Sequence, residues 1–122
     1  MSNENGLIQC ELLISEMNFL SDLIYQLTIH RIENGFSNHN DVLGDYSYFQ
    51  GFFHGVVSTQ KGKKDKIVKI YLNNIRLYKL CELLKFFFLL KKVEGIKDRK
   101  EAEEKARKIL NNLSSEYANF LA

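Results

Sequence analysis

Not one proline interrupts the 122 residues. The strongest breaker of helices is therefore missing from the whole chain. Glycine does the punctuating instead. Gly35, Gly44, Gly62 and Gly95 fall between segments whose apolar residues recur every three or four positions, the spacing of one helical face. A chain written this way is expected to form helices that stop at glycines.

The first stripe is Leu13, Met17, Leu20, Ile24 and Leu27, widened by Ile8, Leu12, Phe19 and Leu23. It predicts a helix from Leu7 to Asn34, roughly 28 residues and about 42 Å long. His30 and Arg31 would sit in its last turn, where positive charge suits the dipole. The run GFSNHNDVLGD, Gly35 to Asp45, reads as a loop from its turn-forming residues. A second helix is expected over Tyr46 to Gln60, with Phe49, Phe52, Phe53, Val56 and Val57 on its apolar side. A β-hairpin pairing VVSTQ with KIVKIYL across KGKKD competes with it, because Val, Ile, Thr and Tyr favour strands.

A third helix is predicted from Lys66 to Glu94, with Asp65 as its cap, Ile70, Leu77, Leu80, Cys81, Leu84, Phe87 and Phe88 along one side, and Tyr71, Ile75 and Tyr78 extending that apolar side. The fourth runs from Asp98 to Leu121. Asp98 and Glu101 match a capping box, and Ala102, Ala106, Ile109, Leu110, Leu113, Tyr117 and Leu121 form the core-facing stripe. No internal repeat is evident. The expected fold is all-α: one helical domain over 1–122, a bundle of about four helices, two of them long. The first and third would outrun the second, so a homodimer that buries their ends is expected.

Apolar residues make up 45% of the chain and charged residues 26%, which argues against general disorder. Net charge is only +2, and that average conceals a division. Residues 1–60 hold one basic residue, Arg31, against seven acids, a net of −6; residues 61–122 hold 16 basic residues against eight acids, a net of +8. The densest basic stretch runs from Lys61 to Lys79. Two expectations follow. Either the acidic half packs on the basic half, or the basic half presents a surface that attracts a polyanion.

Few residues suggest chemistry. His30, His39 and His54 have no histidine or cysteine three or four positions away, so no zinc-type pair is encoded locally. A tertiary site from His39, Asp41, Asp45 and His54 is conceivable, but solvated histidines are the simpler expectation. Cys10 and Cys81 stand alone on apolar faces and read as buried, inert thiols. Glu101 and Glu104 form an E-x-x-E that a magnesium site would pair with carboxylates on a facing helix, where only Glu82 and Glu94 are on offer; helix-start acids explain it more simply. There is no phosphate-binding glycine loop and no nucleophile elbow. The reading is therefore non-enzymatic, with no cofactor, no metal and no small-molecule substrate.

The most unusual local feature is the aromatic cluster Tyr46, Tyr48, Phe49, Phe52 and Phe53, interleaved with Gly51 and Gly55. It is expected to serve the core and a contact with a second copy or a protein partner. The first functional expectation is thus a helical interaction protein, a homodimer or a subunit of a larger assembly. The alternative is nucleic-acid binding without base specificity through Lys61, Lys63, Lys64, Lys66, Lys69 and Arg76. The polar N-terminal stretch MSNENG and the absence of an uncharged run of roughly 20 residues favour a cytoplasmic setting away from membranes.

Overall fold

Where two long helices are expected, each begins as a strand. The computed structural model describes residues 6–33, 40–59 and 65–122, with backbone alone at 32 and 40–46. Strand β1 (Leu7–Leu13) runs straight into helix α1 (Ile14–Glu33), followed by α2 (Asn40–Thr59); strand β2 (Ile67–Asn73) runs straight into α3 (Asn74–Leu89), followed by α4 (Arg99–Leu121). The two strands pair antiparallel, from Leu7 opposite Asn73 to Leu13 opposite Ile67. The fold is therefore mixed, four helices and a two-stranded ribbon, and the all-α expectation is overturned.

The cause is a change of period that the apolar count hides. On β1, Ile8, Cys10 and Leu12 point inward and are buried; on β2, Ile70 and Leu72 do the same. That is alternation, the strand period of two. Leu7, Leu13, Ile67 and Tyr71 share the other face with Gln9, Glu11, Lys69 and Asn73, so apolar letters at the strand ends blur the alternation. No turn residue separates Leu13 from Ile14, and the helical stripe takes over at once. The lengths change accordingly. Helix α1 has 20 residues, α2 20, α3 16 and α4 23. The two expected long helices do not outrun α2, and the argument for a dimer from uncovered helix ends loses its basis. The competing hairpin is half right: KIVKIYL covers β2 except for its last residue, Asn73, but its partner is β1, while Val56 to Thr59 belong to α2. Helix α2 also begins inside the expected loop and includes Gly44. Leu121, expected on the core-facing stripe of the fourth helix, is exposed.

The order strand–helix–helix occurs twice, and the copies lie 60 positions apart. Leu7 corresponds to Ile67, and Ile14, which opens α1, to Asn74, which opens α3. Burial follows the same offset. Cys10, Leu12, Met17, Leu20, Leu23, Ile24 and Leu27 are buried, and so are Ile70, Leu72, Leu77, Leu80, Leu83, Leu84 and Phe87. In the second helices, buried Phe49 and Phe53 correspond to buried Ile109 and Leu113. The ribbon respects this symmetry. Cys10 pairs with Ile70, its own counterpart, so a twofold exchange of the halves leaves the register unchanged. Four counterpart pairs are identical: Leu12/Leu72, Leu20/Leu80, Leu23/Leu83 and Gly35/Gly95. The letters show no repeat beyond these four pairs, as expected from the sequence; what repeats is element order and burial.

The two halves share one core beneath the ribbon. Each fully buried leucine contributes about 1.5–3 kcal/mol relative to exposure. Helix α4 crosses to the first half, where Asn112 Nδ2 donates to the Glu11 carbonyl at 2.9 Å and Lys105 lies 5.8 Å from the Phe19 ring centre. In the opposite sense, the Arg76 guanidinium of α3 stacks 3.6 Å from the Tyr48 ring centre of α2. The ion pairs Glu82–Lys85, Arg99–Glu103 and Glu101–Lys105 each lie within one helix of the second half.

Candidate nucleic-acid interface

A two-stranded sheet buries one face and leaves the other. The outward residues of β1 are Leu7, Gln9, Glu11 and Leu13, and those of β2 are Ile67, Lys69, Tyr71 and Asn73. The register sets them in cross-strand pairs: Leu7 with Asn73, Gln9 with Tyr71, Glu11 with Lys69, Leu13 with Ile67. The Tyr71 hydroxyl donates to Gln9 Oε1 at 3.3 Å. Glu11 opposite Lys69 places opposite charges on neighbouring strands, an arrangement that helps hold register. Ile67 is 60% exposed and Tyr71 47%. This face presents a carboxylate, an ammonium, an amide and a phenol on a rigid double strand.

The ribbon is anchored at both strand–helix junctions. At the start of α3, the Asn73 side chain accepts from the Arg76 N–H at 2.8 Å, a side-chain N-cap. The corresponding position before α1 is Leu13, which has no acceptor. Two other carboxylates substitute. Glu16 Oε1 accepts from the Leu13 N–H at 2.8 Å. Asp65, at the entry to β2, accepts from the Ser15 N–H at 3.0 Å and the Ser15 hydroxyl at 2.7 Å. Those Ser15 bonds, the hydroxyl first, hold the Asp65 carboxyl below its ordinary 3.8, with a further contribution from Lys108. The α1 N-terminus is thus filled from within the chain, and Asp65, the expected cap of the third helix, caps the first.

The basic residues expected to bind nucleic acid divide into two groups. Lys66 and Lys69 are exposed on and beside β2, while Arg76 is exposed at the start of α3 and leans on Tyr48. Lys61, Lys63 and Lys64 lie outside the described residues. The structure adds Lys105 and Lys108, which the sequence places only on a helix face. They border a cavity of about 180 Å³ with Leu13, Ser15, Glu16, Phe19 and Ile109, beside the ribbon's Leu13/Ile67 end. Their 60-residue spacing from Asp45 and Tyr48 was the sequence signal that the halves differ here.

The expected aromatic contact is largely interior. Phe49 and Phe53 are buried in the core, and Tyr48 and Phe52 pack against it. Tyr48 and Phe52 stack at 6.0 Å, and Phe52 meets Phe53 edge-on at 5.4 Å. The Tyr46 side chain lies outside the described part. Gly51 and Gly55 are exposed, and a Cβ built on either would meet nothing within 4 Å. Among the described residues, no backbone approaches that glycine face.

Both thiols are buried. Burial, then Glu116 and Cys81, pushes the Cys10 thiol up to about 12. Burial also raises Cys81, although the Ser114 hydroxyl donates to its sulfur at 3.9 Å. These are poor nucleophiles at neutral pH. Glu101 of the E-x-x-E pairs with Lys105 at 2.9 Å, and Asp98 accepts from the Glu101 N–H at 3.0 Å as the N-cap of α4. Among the described residues, no three His, Cys, Asp or Glu side chains come together as a metal site would require. His54 is exposed on α2; His39 and the side chains of Asp41 and Asp45 lie outside the described part. A cavity of about 320 Å³ opens between α1 and the start of α4, lined in part by Asp22, Gln26, Ile96 and Lys97. Its neighbour, of about 370 Å³, includes His30, Glu33 and Lys92. Among the described residues, no helix is long and apolar enough to cross a membrane. Compared with known proteins, the chain matches no family model, no curated protein and no solved structure.

Proposed function

We propose that this is a non-catalytic DNA-binding protein that inserts the outward face of its β1–β2 ribbon into the major groove. The observation that carries this reading is the ribbon itself: two paired strands, seven residues each, with Glu11, Lys69 and Tyr71 exposed on one face. The major groove of B-DNA is about 12 Å wide and admits a two-stranded ribbon. The outward side chains suit its edges. Glutamine matches adenine, and a carboxylate accepts from the cytosine amino group, while Lys69 reaches a phosphate at the groove's edge. Lys66 lies on the same strand approach, Lys105 and Lys108 flank its end, and lysines beside a groove reader hold phosphates. Two unpaired thiols suit a reducing compartment, so a cytoplasmic setting goes with this reading.

The test is a gel-shift series with the full chain on random-sequence duplex DNA in rising salt. Retardation at low salt that weakens steeply with salt is the expected result. Changing Lys66 and Lys69 together to Ala should reduce the slope of log K against log salt by about 1.8, at about 0.9 for each phosphate no longer neutralised. No shift at the lowest salt would refute the reading.

A second reading is an interaction protein acting on itself or on a protein partner. Ile67 and Ile75, each 60% exposed, favour it. Equilibrium sedimentation separates the two. Self-association that Ile67→Ser and Ile75→Ser abolish, without any DNA shift, would replace the first reading with the second.

A further inference from the structure

The two arms of the ribbon have the same backbone and different chemistry. Exchanging the halves carries Leu7 onto Ile67, Gln9 onto Lys69, Glu11 onto Tyr71 and Leu13 onto Asn73. In a binder made of two identical units, both arms would show the same residues, and the target would share that twofold symmetry. Here one arm offers an amide and a carboxylate where the other offers an ammonium and a phenol. The difference extends beyond the ribbon. Lys105 and Lys108 flank the Leu13/Ile67 end, while the residues 60 positions before them are Asp45 and Tyr48. The whole chain follows suit, with net −6 before residue 61 and +8 from there on.

Phosphates line both sides of the groove, and each rewards a cation and penalises a carboxylate. Resting on the DNA-binding reading above, we propose that the protein is a fused two-arm binder with one working arm, and that its target is a non-palindromic duplex site. The second arm, Lys69 and Tyr71 backed by Lys66, holds one DNA strand. The first arm, Gln9 and Glu11, makes no phosphate contact and sets the direction in which the protein lies on the site. A fused pair differs in this from a dimer of separate chains, whose arms are bound to stay identical.

The experiment is selection by the full chain from a pool of random duplexes, followed by salt titration on the enriched sequence. Three proteins are compared: the unaltered chain, Gln9→Lys with Glu11→Tyr, and Lys69→Gln. The double change copies the working arm into the other one, at solvent-facing positions. A motif without dyad symmetry is expected from the unaltered chain. The double variant should select a more palindromic motif, bind about tenfold more tightly at low salt and show a slope steeper by about 0.9 for its added lysine. Lys69→Gln should reduce the slope by about 0.9. A palindromic motif from the unaltered chain overturns the proposal while leaving DNA binding intact. So does a double variant that folds, by circular dichroism, with unchanged motif and slope. If no duplex is enriched at all, the DNA-binding reading fails and takes this proposal with it.

Discussion

The N-terminal and C-terminal halves bury many of the same positions and carry opposite net charge. Leu20 and Leu80 are both fully buried, as are Ile24 and Leu84, yet one half carries −6 and the other +8. The contrast separates two kinds of constraint. Core positions answer to packing, which tolerates exchange among apolar residues of similar volume. Surface positions answer to what the molecule meets. Cross-half contacts combine strand pairing, cation–ring stacking and a few local polar contacts such as Asp65 with Ser15 and Glu11 opposite Lys69, and these use only a small part of the charge that each half carries.

The largest effect should come from probing the shared core at counterpart leucines. Leu20→Ala and Leu80→Ala each remove a fully buried side chain and should each cost about 2–5 kcal/mol. If the halves fold as one cooperative unit, urea denaturation of both variants shows a single transition with the same slope. A variant that unfolds in two steps would break the comparison, by showing that one half survives without the other.

Next comes Gly95. Its φ of +89° is unfavourable for other residues, and an added Cβ would collide with the Gln26 side-chain amide. Gly95→Ala should cost about 1–2 kcal/mol from the backbone alone, read from the urea midpoint. A stability equal to the unaltered chain would show that the α3–α4 connection relaxes freely.

How much of this was legible beforehand depends on the element. The stripes of α1, α3 and α4 could be read because helix spacing persists over many turns. The Asp98 cap was legible because its partner Glu101 is local. Buried Cys10 and Cys81 could be read from their apolar neighbours. The ribbon was not legible, because Leu7, Leu13 and Ile67 prolong the apolar run at the strand ends, and the alternation of Ile8, Cys10 and Leu12 passes into the helical stripe with no turn residue between them. Strand pairing across 60 residues also leaves no local mark. The repeat was hidden for a related reason: a core keeps volume and spacing, not letters. The coincidence of Gly35 with Gly95, and of Leu20 and Leu23 with Leu80 and Leu83, was the available signal. The proposed binding face was half legible. Lys66 and Lys69 were picked out by charge, but Gln9 and Glu11 needed the register to join them.

A smaller effect sharpens the comparison at the strand–helix junctions. Asn73 caps α3 with its own side chain, so Asn73→Ala should cost about 1 kcal/mol. Its counterpart Leu13→Asn should gain less than that loss. The Leu13 N–H and Ser15 N–H are already bonded by Glu16 and Asp65, so a new acceptor would serve only the Glu16 N–H, the counterpart of the donor that Asn73 takes. A gain from Leu13→Asn equal to the loss from Asn73→Ala, by urea midpoint, would mean that the borrowed carboxylates do little.

The smallest effect tests that borrowed cap through pH. Asp65 is exposed, and Ser15 holds its carboxyl below the ordinary 3.8. A depressed carboxyl stabilises the folded state at pH values above its unfolded pKa. That stabilisation fades as pH falls below 3.8 and through the folded value, because the unfolded chain takes up the proton first. Asp65→Asn should therefore lower the melting temperature slightly at about pH 6, where solvent screening keeps the effect modest. The gap between variant and unaltered chain should close as the solution is brought down from about pH 4 to about pH 2. Changing Ser15 to Ala, which removes the strongest of the bonds, should reproduce most of that pattern while Asp65 stays in place. A gap that stays constant with pH would assign the loss to packing around Lys108 rather than to the carboxylate at the head of α1, and the first half would then have no cap borrowed from the second.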